Sequence, residues 1–547
     1  MTPYLKRLEQ AIHDHWEAPA LSNYKGEGFT FAQLAEKIEK FHMFFEAAGV
    51  KKGDKIAICA KNSARWAVSF LSISSYEAVV VPILADFNPD SINALVDHSE
   101  SILLFTDDEL WKKIDITKMP AVRGVISTNS FTLLHSADEG MKNAFDSLAE
   151  AFANKYPMGF SRENVCYPEG NASDLALINY TSGTTSAPKG VMLRYECLDS
   201  NIEFALDHIP VNKGESIVSM LPMAHMYGMA FEFIYPLCGG AHVIFLGKTP
   251  SPALLLGAMG EHKPYILITV PLVLEKVFKG SLQPKLEKPA MKILTKIPGI
   301  RNILFNKIRE TLLSKFGGNV RTIVMGGAAL NPEVEYWFRK FKLPYTVGYG
   351  MTECAPLLAY SDWTTFAPKS CGVAVDRMQV RIDSEDPVNT VGEIQVKGIN
   401  VMSGYFKNPE ATAAAFTEDG WLRTGDLGVV DAAGNVFIRG RSKNMILSSN
   451  GQNIYPEEIE AVCNVQPYVV ESVVVDRGSK LVALLYVDKE AAAKDGLDAE
   501  ALSDKLEEMR VTVNKAMPNY SKITKIEVVD QPFEKTPKMS IKRFMYA

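Results

Sequence analysis

The sequence predicts an α/β fold in two unequal parts. One is a large N-terminal domain with parallel-type α/β sheets and a β-rich subdomain; the other is a small α+β C-terminal domain. Three observations carry this. Short apolar runs alternate with helix-period stretches from residue 55 to about 325, and strands alternating with helices form a parallel sheet covered on both faces. From about residue 374 the texture changes to short strands separated by Gly, Asn and Asp turns, as in antiparallel structure. At Gly440-Arg441-Ser442-Lys443 it changes again, to helix, strand, strand, helix, strand over about 100 residues, a normal size for an independent domain. The expected domains are 1–440, with the β-rich subdomain at about 374–440, and 441–547.

Taken in order, Thr30 and Gln33 make a Thr-x-x-Gln capping box that opens a helix running to about Gly49. Residues 55–60 predict a strand, 64–76 an apolar-periodic helix, 78–83 a strand, 90–98 a helix and 102–105 a strand. The run 174–179 is short and apolar with polar ends, a buried strand. Further buried strands are expected at 216–220, 241–246, 266–270 and 320–325. In the β-rich part the expected strands are 391–396, 401–405, 429–431 and 436–438, with a hairpin turn at Asp431-Ala432-Ala433-Gly434-Asn435. Beyond Lys443 come a helix at 456–465, strands at 469–476 and 481–487, a helix at 499–517 and a strand at 523–529. Residues 281–300, with repeated Lys and Pro, read as an exposed excursion.

Composition sets bounds on function. At 547 residues with 47% hydrophobic and 22% charged residues the chain is an ordinary globular protein. A net charge of −6 without a long basic run argues against nucleic acid as a partner. Seven scattered cysteines without a C-x-x-C pair suggest neither a zinc site nor a disulfide framework, and fit a reducing cytoplasm. The N-terminus has no apolar core of a signal peptide, and no apolar run approaches the length of a membrane span. Peripheral membrane contact is compatible with all of this.

The most informative stretch is Tyr180-Thr-Ser-Gly-Thr-Thr-Ser-Ala-Pro-Lys-Gly190. A buried strand ending in a small, hydroxyl-rich loop with a following lysine suits a polyphosphate: backbone N–H groups and hydroxyls surround the anion, and the ammonium neutralises it. It is not a Walker loop, which needs Gly-Lys-Ser/Thr in succession. Four more segments stand out. They are Pro222-Met-Ala-His-Met-Tyr-Gly228, Met325-Gly-Gly-Ala-Ala-Leu330, Gly348-Tyr-Gly-Met-Thr-Glu353 and Trp421-Leu-Arg-Thr-Gly-Asp-Leu-Gly428. Paired glycines let backbone approach a flat ligand. A tyrosine face supplies stacking area. One carboxylate plus substrate phosphates is the usual way to hold Mg²⁺. Asp426 in a Thr-Gly-Asp turn suits either a two-hydroxyl acceptor or a plain turn cap.

These segments, in this order and spanning nearly the whole chain, resemble the adenylate-forming (ANL) superfamily: acyl-CoA synthetases, peptide-synthetase adenylation domains and luciferases. The resemblance implies ATP, Mg²⁺ and CoA as cosubstrates and cofactor. It places Thr181, Ser182, Gly183, Thr184, Thr185 and Lys189 on the phosphates, with Thr184 and Glu353 toward Mg²⁺. His225 would lie where the acyl pocket meets the reacting carboxylate. Gly326, Gly327 and Ala328 would lie against adenine, with Tyr349 stacked on it. Thr352 would touch the α-phosphate and Asp426 would bind both ribose hydroxyls, with Arg441 nearby. Lys443 matches a hinge that makes the small domain mobile, and Gly451 lies in the loop lining a pantetheine tunnel. The family places an adenylation lysine near the C-terminus. Here Lys535-Thr-Pro-Lys-Met-Ser-Ile-Lys-Arg543 puts Ser540 at that place, with Lys538 and Lys542 two residues to either side. In an extended segment all three share a face.

The implied reaction has two halves: a carboxylate attacks the α-phosphorus of ATP, releasing pyrophosphate, and a thiol then takes the acyl group. No acid occurs in 222–231 to bind an amino group, which disfavours amino acids. The Met/Phe/Tyr-rich stretch 220–235 favours an apolar acyl group. The overall texture resembles bacterial long-chain fatty acyl-CoA synthetases. The expected partners are a fatty acid, ATP and CoA, with a membrane surface and an acyl carrier protein as further candidates. Transfer to a carrier-protein phosphopantetheine, an aryl-acid CoA ligase and a non-catalytic relative are the alternatives.

Overall fold

The computed structural model describes residues 1–181, 188–247, 251–286, 288–447, 452–478, 480–536 and 540–546. The alternation of periods 2 and 3.6 produces the expected doubly covered sheet. It has eight strands, in the order Gly404–Tyr405, Lys189–Arg194, Leu175–Thr181, Val79–Ile83, Lys55–Cys59, Leu103–Thr106, Gly124–Ser127, Leu133–Ser136. From Leu175–Thr181 to Gly124–Ser127 all pairings are parallel, and the edges are antiparallel. Val79–Ile83 is buried throughout, as expected of a strand covered on both faces. The helices Phe31–Ala47 and Ala64–Ser75 pack against each other. Thr30 caps the first with the full capping box. Trp66 is fully buried and stacks on Phe70, ring centroids 5.7 Å apart.

Two smaller sheets complete the α/β part. His242–Phe245 lies parallel between Ser216–Ser219 and Pro19–Asn23, and Thr322–Met325 lies parallel between Ile266–Thr269 and Tyr345–Val347. The β-rich part is an antiparallel sheet of Met378–Asp383, Gly392–Gly398, Leu422–Val430 and Val436–Arg441. Two expectations are corrected here. The strand expected at 401–405 is only Gly404–Tyr405, and it joins the eight-stranded sheet by pairing with the strand Lys189–Arg194. The strand expected at 429–431 begins at Leu422, so Asp426 is a strand residue and not part of a turn. Side chains explain the second: the register against Gly392–Gly398 jumps from Arg423 to Leu427, Gly425 takes φ +71°, and within this bulge Gly425 N donates to Glu393 Oε1 and Asp426 N to Thr424 Oγ1, both at 3.1 Å, so buried backbone groups are satisfied without a turn.

The main core runs from Tyr4 to Val436. A separate core begins at Ile454 and is built on Val469–Asp476, Leu481–Val487 and Ile523–Val529. Along Leu481–Val487 the period-2 alternation splits the sheet. Leu481, Ala483, Leu485 and Val487 face one core, while Val482 and Leu484 face another with Phe533. The C-terminal tail therefore covers the second face of the small sheet. Among the described residues, contacts between the small unit and the large one include the following. Asn331 Nδ2 donates to Ala461 O at 2.8 Å, Lys279 Nζ donates to Asn464 O, and Arg439 lies 3.5 Å from Glu458. Residues 281–300 are largely exposed, as expected, and form the short helices Gln283–Leu286 and Pro289–Leu294 and the start of Pro298–Lys315.

Candidate active site

The phosphate-loop segment joins two antiparallel strands, Leu175–Thr181 and Lys189–Arg194, with Thr181 opposite Lys189. Thr181 Oγ1 donates to Lys189 O at 3.4 Å. Ser182, Gly183, Thr184 and Thr185 lie outside the described residues, as do Gly451 and Lys538. Lys189 starts the return strand. Its ammonium lies over the ring of Tyr405, 4.9 Å from the centroid, a cation–π contact. Tyr405 in turn donates its phenol O–H to Glu353 Oε1 at 2.9 Å. One residue thus ties the phosphate lysine to the expected metal acid. Tyr405 was not among the sequence candidates. It is placed by strand pairing across a long stretch of chain, and no local pattern announces that pairing.

Glu353 lies in a 3₁₀ turn, Thr352–Cys354, with Thr352 buried. Its backbone carbonyl accepts from Met402 N at 2.9 Å, which anchors the segment leading to Tyr405. Among the described residues no three His, Cys, Asp or Glu side chains gather as a metal site. A single carboxylate beside a phosphate site is the donor set that suits Mg²⁺ completed by substrate oxygens and water.

The second cluster surrounds Asp426. Sheet register sets Asp426 directly opposite Arg441, and Arg441 Nε reaches Asp426 Oδ1 at 2.7 Å. Tyr349 O–H donates to Asp426 Oδ2 at 2.6 Å. Burial raises the Asp426 carboxyl above its ordinary value, against the opposing pull of Arg441 and the Tyr349 hydrogen bond; Glu353 and Glu457 push it further up. Asp426 therefore senses the Glu353 charge across the cleft. Lys443 senses both clusters. Burial lowers its pKa first, then repulsion from Arg441 and Lys189, while Asp426 opposes. Lys189, Glu353, Tyr349, Asp426, Arg441 and Lys443 thus share one electrostatic neighbourhood.

Gly326 and Gly327 follow the strand Thr322–Met325. A Cβ on Gly326 would meet the Tyr227 ring at 3.1 Å, and Gly327 has φ +81°. Gly326 is buried, whereas Gly327 and Ala328 are exposed. Part of the demand for glycine therefore comes from Tyr227, whose O–H donates to Thr269 O at 3.3 Å and Val324 O at 3.2 Å. His225 immediately precedes the short helix Met226–Gly228 and the π-helical stretch Met229–Ile234. Two asparagines hold its loop: Asn179 Nδ2 donates to Ala224 O at 2.9 Å, Asn62 Nδ2 donates to Leu221 O at 2.6 Å, and Asn62 Oδ1 accepts from Met223 N. Met220, Met223, Met226, Met229 and Phe231 are all buried in the main core.

Glu232, on the same stretch, also went unpredicted. It is fully buried. Its Oε2 accepts from Ser219 Oγ, Met220 N and Leu221 N at 2.8–3.1 Å. Burial pushes its carboxyl up to about 8 despite these hydrogen bonds. A lone Glu in an apolar run is a sequence signal for a buried acid, although it does not indicate the partners.

The C-terminal lysines are placed elsewhere. Lys535 pairs with Glu471, Lys542 Nζ with Glu534 at 3.2 Å, and Arg543 with Glu460. Lys535 and Ile541 form an antiparallel bridge on the small domain. Lys542 is not brought together with the Glu353 and Asp426 clusters in this arrangement.

Comparison with known proteins agrees with this geometry. Residues 8–406 match the model of the AMP-binding enzyme family, and residues 443–546 match that of the AMP-binding enzyme C-terminal domain. The chain is 28% identical to the long-chain-fatty-acid–CoA ligase FadD15 of Mycobacterium bovis, over 95% of this chain and 90% of that protein. It is 26% identical to the long-chain-fatty-acid–[acyl-carrier-protein] ligase AEE15 of Arabidopsis thaliana, over 98% and 82%. ATP-bound MatB from Rhodopseudomonas palustris shares the fold with a TM-score of 0.77 at 24% identity, over 100% of this chain and 98% of MatB. With a family model matching residues 8–406 and a C-terminal model matching 443–546, the chain belongs to the AMP-binding enzyme family.

Proposed function

We propose that this chain is an ATP-dependent, AMP-forming acid–CoA ligase that activates a long-chain fatty acid and passes the acyl group to CoA. The observation that best supports this reading is a pair of side-chain clusters, Lys189–Tyr405–Glu353 and Tyr349–Asp426–Arg441, built from the segments with phosphate, metal and sugar chemistry. Lys189, with Thr181 to Thr185, binds the polyphosphate. Tyr349 and Gly326 to Ala328 bound the adenine. Asp426 accepts the ribose hydroxyls through lone pairs left over from Tyr349 and Arg441, and Thr352 reaches the α-phosphate. Glu353, with Thr184, holds Mg²⁺, which when bound neutralises charge on the phosphate oxygens. His225 orients the acid's carboxylate. That carboxylate's oxygen forms a bond to the α-phosphorus as the bond to pyrophosphate breaks. The CoA thiol then gives up its proton and attacks the acyl carbon, and AMP leaves. Both steps depend on positioning and charge stabilisation, not on an enzyme nucleophile, so seven free cysteines, six of them buried, carry no catalytic duty.

Domain 441–547 turns about Lys443 between the two steps. One orientation brings Lys538 or Lys542 to the α-phosphate; the other brings the loop containing Gly451 to the pantetheine arm. Contact with a lipid surface, where the free acid resides, is part of this reading. The second reading, transfer to an acyl carrier protein, is favoured by the near-full-length match to AEE15.

Pyrophosphate release with a panel of carboxylic acids, with and without CoA or a carrier protein, tests the proposal. Release with long-chain acids and a CoA thioester as product is expected. Release without CoA thioester moves the assignment to the carrier protein, and no release with any acid overturns both.

A further inference from the structure

We infer that the arm formed by Gln283–Leu286, Pro289–Leu294 and the first turns of Pro298–Lys315 is a docking surface for an anionic lipid bilayer. The inference deepens the peripheral-membrane part of the proposed function, on which it rests for its purpose. Its evidence is independent. Residues 283–309 hold seven Lys or Arg and one acid, Glu287, in a chain of net charge −6. Lys285, Lys288, Lys292, Lys296 and Lys307 are exposed. Among the described residues, no carboxylate makes an ion pair with any of the arm's cations.

Large apolar side chains stand among these cations. Ile293 and Ile303 are 63% and 72% exposed, and Leu294, Ile297 and Ile300 are exposed as well. On Pro298–Lys315, the spacing of Ile300, Ile303 and Lys307 puts them on one face. Phe305 and Leu312 occupy the opposite, buried side. The buried side is anchored: Phe305 packs edge-on against Trp337 and Phe341 at 6.3 and 5.4 Å.

Exposed isoleucines flanked by lysines make a surface that seats its apolar side at the headgroup boundary while its cations meet anionic phosphates. No helix among the described residues is long and apolar enough to cross a membrane, so the contact is interfacial. A second copy of the chain would set one cationic arm against another, which repels. An acidic protein would satisfy the lysines but requires a groove to receive the projecting isoleucines.

Flotation of the full-length chain with vesicles of phosphatidylcholine, alone or mixed with phosphatidylglycerol, tests this. Binding to the mixed vesicles only, weakened by salt, is expected. Ile293→Ser/Ile297→Ser/Ile303→Ser lowers the partition on the order of 10²-fold, and Lys292→Gln/Lys296→Gln lowers it about tenfold. Melting temperatures close to the parent show that both variants fold. Failure of the parent to float with anionic vesicles, or equal flotation of parent and both variants, overturns the inference. So does self-association, or carrier-protein binding, that these substitutions abolish while vesicles are ignored. Pyrophosphate release with a short, water-soluble acid is run in parallel. Absence of release with that acid and with every long-chain acid, with flotation intact, defeats the ligase reading and leaves the docking surface standing.

Discussion

The nucleotide cleft and the C-terminal tail are both rich in charge, but their charges are organised differently. In the cleft, residues far apart in sequence hold one another: Lys189 to Tyr405 to Glu353, and Tyr349 and Arg441 to Asp426. Among the described residues of the tail, each cation is paired within its own small unit: Lys535 with Glu471, Lys542 with Glu534, Arg543 with Glu460. The cleft is preorganised before any ligand arrives, which costs no reorganisation at the reacting centre. Under the proposed function, Lys542 exchanges its local carboxylate Glu534 for phosphate through a change of domain orientation. On that proposal the nucleotide grip stays permanent while the adenylation cation is withdrawable.

The largest test of this contrast is Glu353→Gln, which keeps shape and removes charge. Adenylation, followed as pyrophosphate release, should fall on the order of 10²- to 10³-fold; a near-parental rate would show that the cleft's preorganised acid is not used. Next come Lys538→Ala and Lys542→Ala. One should lose about 10²-fold in adenylation and little in thioester formation from supplied acyl-adenylate, and the other should stay near the parent. Equal, near-parental rates would remove the tail from catalysis.

Arg543→Gln leaves Glu460 buried without its cation, so urea denaturation should show the small domain destabilised by about 2 kcal/mol, reduced from the fully buried case because Arg543 is 23% exposed. Adenylation by the folded fraction should hold. Tyr405→Phe keeps the ring under Lys189 and deletes the hydrogen bond to Glu353, worth about 1 kcal/mol. The expected result is a several-fold rise in the Mg²⁺ needed for half-maximal rate, with the ATP KM nearly unchanged.

The smallest test uses pH. Glu232 on the cleft side and Glu460 on the tail side are both buried acids pushed up, to about 8 and about 7, by burial. Raised folded-state values mean that the folded chain holds protons the unfolded chain has lost. Stability from these groups is therefore present at low pH and declines as pH rises through the folded value. Glu232→Gln should flatten the decline between about pH 5 and 8 by at most about 1.4 kcal/mol per pH unit, one proton's worth. Asp199, pushed up to about 7 by burial, and Glu460 maintain the remainder. An unchanged slope would mean that Glu232 is ionised throughout.

Much of the architecture was legible in the sequence because its signals are local. The Thr30–Gln33 box, the apolar strands around 55–105 and the helix–strand–strand order after Lys443 each follow from side chains within a few residues of one another. The candidate site motifs are local in the same way: each is a short segment whose residue types suit phosphate, sugar or metal. Tyr405 was read as part of a β-rich strand and proved to be the link between Lys189 and Glu353, because edge-strand pairing depends on where the 404–405 segment is delivered and not on its own composition. Asp426, read as a turn residue, is held in a strand by register with Arg441. Glu232 looked like an ordinary acid and is buried with three donors on one oxygen.

By itself the sequence determined which segments become strands and helices, and which hydroxyls, acids and lysines are available for chemistry, since propensity, periodicity and residue chemistry are properties of neighbours along the chain. The tertiary structure alone decided that Tyr405 links Lys189 to Glu353, that Asp426 meets Tyr349 and Arg441, that the arm's isoleucines are exposed, and that Lys535, Lys542 and Arg543 rest on their own domain's carboxylates. Those outcomes depend on strand register, on which faces are buried and on which charges are left to find each other, and all three are settled only when distant segments pack.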